Sequence, residues 1–186
     1  MNPIATFKMK SGATFQVELL PELAPNTVNS FIHLATSGCY DNYAIQRIVP
    51  NSWVDISYSA LGNDLAKYFI DNEAPLQSNQ PIYYGLMCMG GYSENDIAGG
   101  EVFFPLRDCD DLVGKYPIIG KFLNGVETLR DIEVVDTYPV VIEEAPSVEI
   151  NTPVEPVIIE SVTVNTFGVA YPLPTKKAPI PKPPRW

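Results

Sequence analysis

Between Tyr43 and about Leu123 the chain offers short strand-like runs divided by turn-forming residues, with no helix of good quality. Such a pattern excludes a helical bundle and demands that many short strands pair. The opening residues supply the first pair. "IATFKMK" and "ATFQVEL" flank Ser11-Gly12, and in the second run Phe15, Val17 and Leu19 alternate with Thr14, Gln16 and Glu18. This is the period-2 pattern of a hairpin with one buried face.

After Pro21 the period changes. In "APNTVNSFIHLATSGCY" the residues Val28, Phe31, Ile32 and Ala35 lie at the spacing of one helix face, Pro25 or Asn26 can start the helix, and Gly38 can end it in a left-handed conformation. A shorter helix is expected at "GVETLRDI", where Val126, Leu129 and Ile132 share a face. "VIIESVTVNTF" reads as a strong late strand. Many strands with two helices argue for a mainly β barrel or sandwich closed at its ends by helices. A long connection runs from about Ser57 to Pro81, and the region near residues 136–155 is an acidic, proline-rich insertion. We expect one domain over residues 1–170, followed by a proline-rich flexible tail over 171–186. The tail's "KKAPIPKPPRW" has the polyproline form that docks on a partner or a groove, although a solvated terminus is the simpler reading.

Composition removes several function classes. The chain has 186 residues, 46% of them hydrophobic, enough for a single core. With 22 acidic and 12 basic residues and a formal net charge of -10, it lacks the basic face that nucleic acid or an anionic membrane requires. No apolar run approaches the roughly 20 residues that span a bilayer, and "MNPIATFKMK" lacks the apolar middle of a secretory signal. A cytoplasmic, monomeric protein is the expectation. The cysteines Cys39, Cys88 and Cys109 form no C-x-x-C, and His33 is the single histidine. No metal and no cofactor are expected from such a set. His33 lies beside the apolar helix face and reads as a partly packed or surface residue.

One charge stands out against this background. In "YAIQRIVPNSWVDIS" Arg47 sits inside an otherwise uncharged run. The order of the surrounding motifs resembles the cyclophilin family of peptidyl-prolyl isomerases. The likeness starts at "SGATFQVELLPELAPNTVNSFIHLATSGCYDN", continues through "IQRIVP", "EVFFPL" and "LVGKYPIIGKFLNGVETLRDI", and closes on "VEPVIIESVTVNTFG", covering about residues 4 to 170. It implies a closed eight-stranded antiparallel barrel capped by two helices, with the substrate groove on its outside. It also implies isomerisation of X-Pro bonds in peptides and folding proteins, with Arg47 as the catalytic residue and with no cofactor. By the same resemblance Phe104 forms the floor of a proline pocket, Leu112 and Tyr116 line its side, Met89 borders the groove, and Gln46 precedes the arginine.

The chemistry suits a lone guanidinium. Resonance keeps the amide planar and sets a barrier of about 18–20 kcal/mol. A donor held beside the prolyl nitrogen bonds its lone pair only once the amide twists, so the bond favours the transition state over the ground state. Each ~1.4 kcal/mol gained in this way is tenfold in rate.

Departures from the family pattern cluster around the groove. Ser52 replaces an aromatic that packs on the proline ring, unless Trp53 substitutes for it. Asp55 replaces a glutamine, and its carboxylate is placed to pair with Arg47. Val102 replaces a second glutamine, and Gly90 stands where an asparagine often meets the peptide backbone. Three readings stay open: an isomerase with reduced activity, a catalytically weak peptide- or protein-binding module, and an interaction protein that keeps only the barrel.

Overall fold

The computed structural model describes residues 1–56, 63–92, 96–143 and 146–177. Strands β1 (Ile4–Met9) and β2 (Thr14–Leu19) form the expected hairpin, with Gly12 at φ 96° in its turn. Their inward residues Phe7 and Phe15 stack at 4.6 Å, and both meet Phe104 edge to face, at 5.8 and 5.6 Å. This aromatic cluster is the centre of the core.

Helix α1 (Pro25–Thr36) caps one end of the sheet, and the expected face is buried: Val28, Phe31, Ile32 and Ala35. Its first-turn amides have no local side-chain cap. They are satisfied instead by the carboxylate of Glu73, which accepts from the N–H groups of Asn26 (3.2 Å) and Thr27 (2.8 Å). The helix ends where Gly38 turns left-handed at φ 72°, with Cys39 N donating back to Leu34 O.

The remaining strands are β3 (Tyr43–Ala44), β4 (Arg47–Val49), β5 (Trp53–Asp55), β6 (Phe69–Asp71), β7 (Leu86–Tyr92), β8 (Asp96–Pro105) and β9 (Ile118–Asn124). Helix α2 (Glu127–Glu133) follows, and then β10 (Thr137–Pro139), β11 (Asn151–Pro153) and β12 (Ile158–Asn165). All pairings are antiparallel. The order is β10-β11-β4-β5-β8-β7-β9-β2-β1-β12-β3, with β6 on β8.

Two features differ from the expected closed eight-stranded barrel. Among the described residues the sheet has 12 strands, including β10 and β11 from the acidic insertion, β6 from the long connection and the two-residue β3. The hydrogen-bonded path is also open, ending at β10 and at β3. The covalent chain bridges part of that gap, since β3 leads into β4 through Ile45 and Gln46, and Ile45 N donates to Val157 O at 2.8 Å.

The first residues of the proline-rich segment lie along the fold. Thr175 and the Asn26 side chain exchange two hydrogen bonds (3.0 and 2.7 Å), Lys177 bridges Phe69 on β6, and Lys176 Nζ stands 4.1 Å from the centre of the Tyr68 ring. Most of the polyproline run, residues 178–186, lies outside the described residues, as do residues 57–62 of the long connection. Among the described residues no helix is long and apolar enough to cross a membrane.

Candidate active site

The site begins with a tight connection between β4 and β5. Asn51 adopts φ 57°, and Ser52 N closes the turn on Val49 O at 3.0 Å. Helix α2 supports this turn from below: Glu133 Oε1 accepts from Asn51 N at 2.9 Å, and Arg130, whose guanidinium lies 4.2 Å from the centre of the Tyr84 ring, donates to Leu106 O.

The register then carries the chemistry across four strands. Arg47 stands opposite Asp55, Asp55 opposite Phe103, and Phe103 opposite Cys88. Opposed residues in an antiparallel ladder share a face, so these four form one row on the face turned away from the central core. Trp53, two residues before Asp55, joins the same face. Its ring meets Phe103 at 6.2 Å and lies 5.4 Å from the guanidinium carbon of Arg47. Tyr116 meets Phe103 edge to face at 5.6 Å, and Leu112, carried by a 3-10 turn at Asp110–Leu112, packs into the same apolar cluster. The guanidinium thus stands beside an aromatic and aliphatic patch.

The guanidinium is firmly held. Its Nη1 donates to Asp55 Oδ2 at 2.6 Å, with the two side chains 13% and 2% exposed, and its Nε donates to the carbonyl of Glu149 at 2.8 Å. These contacts engage the guanidinium at both Nε and Nη1. The carboxylate replacing a glutamine therefore pairs with the arginine, as its chemistry suggested. The thiols near the floor are inert by contrast. Burial pushes Cys88 well above the ordinary thiol range and raises Cys109, which disfavours the thiolate at both.

Of the residues singled out in the sequence, the structure brings together Arg47, Trp53, Asp55, Leu112 and Tyr116. It places Phe104, Val102 and Met89 elsewhere. All three are fully buried in the central core: Phe104 opposes Val54 and Val102 opposes Met89, on the face opposite the arginine. The physical reason is parity. Adjacent residues of a strand point to opposite faces, so only one of Phe103 and Phe104 can face the groove, and the pairing with Asp55 selects Phe103. Alternation puts Glu101, 4% exposed, on the side of Phe103. A Cβ on Gly90 would come within 2.7 Å of Glu101 Oε1, so the missing side chain at 90 makes room for this acid. Ser52 and Gln46 enter through their carbonyls, which accept from Leu106 N and from Thr152 Oγ1, both at 2.8 Å.

Comparisons with known proteins bear on the chain as a whole. The family model described as cyclophilin type peptidyl-prolyl cis-trans isomerase matches residues 4–164. A peptidyl-prolyl cis-trans isomerase-like 2 of Cryptococcus neoformans var. neoformans is 31% identical over 153 residues, covering 80% of this chain and 25% of the relative. The peptidyl-prolyl cis-trans isomerase CYP57 of Arabidopsis thaliana is 29% identical over 136 residues, covering 66% of this chain and 27% of that protein. The chain thus spans about a quarter of the length of these relatives. Among solved structures, a cyclophilin type isomerase of Cryptosporidium parvum, crystallised in the presence of the dipeptide Ala-Pro, matches with a TM-score of 0.69 and 19% identity. That match covers 87% of this chain and 98% of the other.

Proposed function

Because the chain belongs to the cyclophilin-type peptidyl-prolyl cis-trans isomerase family, we propose that it isomerises X-Pro bonds of peptides and unfolded protein clients, with Arg47 as the catalytic residue. The observation that carries this reading is the guanidinium of Arg47 lying beside the patch of Trp53, Phe103, Leu112 and Tyr116. The patch holds the proline ring and so aligns the prolyl nitrogen with the arginine. The guanidinium then donates to the lone pair that appears as the amide twists, and no acid, base or nucleophile takes part.

A second reading, a binding module with weak turnover, is favoured by the Arg47–Asp55 pair. A charge-assisted bond of 2.6 Å to a carboxylate 2% exposed competes for the donors that the twisted amide needs. Both readings meet in one experiment. In a protease-coupled assay on a short X-Pro peptide, Arg47→Ala is expected to lose at least tenfold in kcat/KM. Asp55→Asn, which keeps the shape and removes the charge, is expected to gain severalfold. Wild type and Arg47→Ala both matching the uncatalysed rate would end the enzymatic reading. An unchanged or lower rate for Asp55→Asn would show that the pair does not restrain turnover.

A further inference from the structure

The acidic insertion reaches the arginine at three points. Strand β11 pairs with β4 through Asn151 and Ile48. On either side of Arg47, the carbonyl of Gln46 accepts from Thr152 Oγ1 at 2.8 Å, and the carbonyl of Ile48 accepts from Asn151 Nδ2 at 3.1 Å. Carbonyls of alternate residues along a strand point the same way, so both of these face β11 and Arg47 is bracketed between them. The third point is the carbonyl of Glu149, two residues before Asn151, which accepts from Arg47 Nε.

The described residues of the insertion are themselves held by pairing and burial. It folds as a hairpin with β10, extended by Val140 N to Ile150 O (2.9 Å) and Val154 N to Asp136 O (2.8 Å), and it buries Ile142 and Ile150. Asn151 Nδ2 also donates to Glu149 Oε1 at 2.9 Å, which ties the residue that supplies the carbonyl to the residue that grips the strand.

We propose that Thr152 and Asn151 are positioning residues for the catalytic arginine, and that the β10–β11 hairpin fixes the plane of the guanidinium through Glu149 O. The hairpin and Asp55 act in opposite senses. A neutral carbonyl on Nε sets orientation without cancelling charge, whereas the carboxylate on Nη1 withdraws charge from the groove. This inference rests on the isomerase reading for its kinetic consequence, and on geometry alone for its structural one.

Two measurements on the full chain separate these. The first is hydrogen exchange of the Arg47 Nε–H, followed by NMR and assigned by its loss in Arg47→Lys. Thr152→Ala combined with Asn151→Ala is expected to accelerate this exchange at least fivefold, while the backbone amides of β1, β2 and β12 keep their protection. The second is steady-state kinetics on an X-Pro peptide: kcat is expected to fall threefold to tenfold with KM changed less than twofold. Thr152→Ser is expected to restore most of both signals, since it keeps the hydroxyl. If the double variant unfolds, Thr152→Val removes the hydroxyl with little change of shape and decides the same question. Unchanged Nε–H exchange in a folded variant overturns the proposal, as does a loss confined to KM. If the wild type shows no turnover, the isomerase reading fails, and Nε–H exchange still decides whether the hairpin holds the arginine.

Discussion

Phe103 and Phe104 show how much one residue of register decides. They are chemically identical neighbours, yet Phe104 is fully buried among Phe7, Phe15 and Phe122, whereas Phe103 packs against Trp53 and Tyr116 beside the arginine. Phe104→Ala is therefore expected to cost about 3–5 kcal/mol, read as a lowered urea midpoint, because it opens a cavity in the packed core. Phe103→Ala is expected to cost less stability and to weaken affinity for proline peptides by fivefold or more in a fluorescence titration. The reverse pattern would return the pocket floor to Phe104. The sequence displays a Phe-Phe pair in a strand but carries no parity, because parity comes from the partner strand. The Arg47–Asp55 pair was more legible: the resemblance set a carboxylate where a glutamine is expected near the arginine, and opposite charges at that position attract.

Elements were readable wherever their own periodicity sufficed. Helix α1 buries the face that its spacing marked, β1 and β2 follow their alternation, and β12 forms as a strand whose alternation is broken by a bulge opposite Lys8 and Met9. What the local pattern did not contain was help from elsewhere in the chain. The N-terminus of α1 has no local side-chain cap, and its amides depend on Glu73, which lies 46 positions beyond Thr27 and ahead of a 3-10 turn at Ala74–Gln77. Glu73 also accepts from Thr27 Oγ1 at 2.6 Å. Glu73→Ala is expected to lower stability by about 1–2 kcal/mol, within the range for losing a cap. Glu73→Gln should lose less, because an amide oxygen still accepts one of these bonds. Equal losses in the two variants would show that charge, rather than hydrogen bonding, holds the helix end. The acidic insertion belongs to the same class: its prolines and acids gave no sign of a hairpin, and only its pairing with β4 makes it one.

For the whole molecule, burial keeps several acids neutral. It pushes the Cys39 thiol up to about 11 and raises the hydroxyls of Tyr40 and Tyr68. An exposed thiol ionises near ~8.5, so the folded state holds this proton more tightly than the unfolded chain does. Its stabilising effect is complete below about pH 8.5 and is lost as pH rises towards about 11. The urea midpoint is thus expected to fall between about pH 8 and about pH 10.5, with a shallower decline in Cys39→Ala. An equal decline in that variant would assign the effect to the other buried groups, the thiols of Cys88 and Cys109 and the hydroxyls of Tyr40 and Tyr68. At this scale the division between sequence and tertiary structure is clear. The amino-acid sequence by itself determined the β-rich architecture, the two helices, the acidic balance and the oddity of one arginine in an uncharged run, because periodicity and composition are local properties. Only the tertiary structure decided the open path of the sheet, which phenylalanine faces the groove, and which partners hold Arg47. Those depend on strand register and on groups as remote as Glu149, and hydrogen bonds between distant segments leave no periodic trace along the chain.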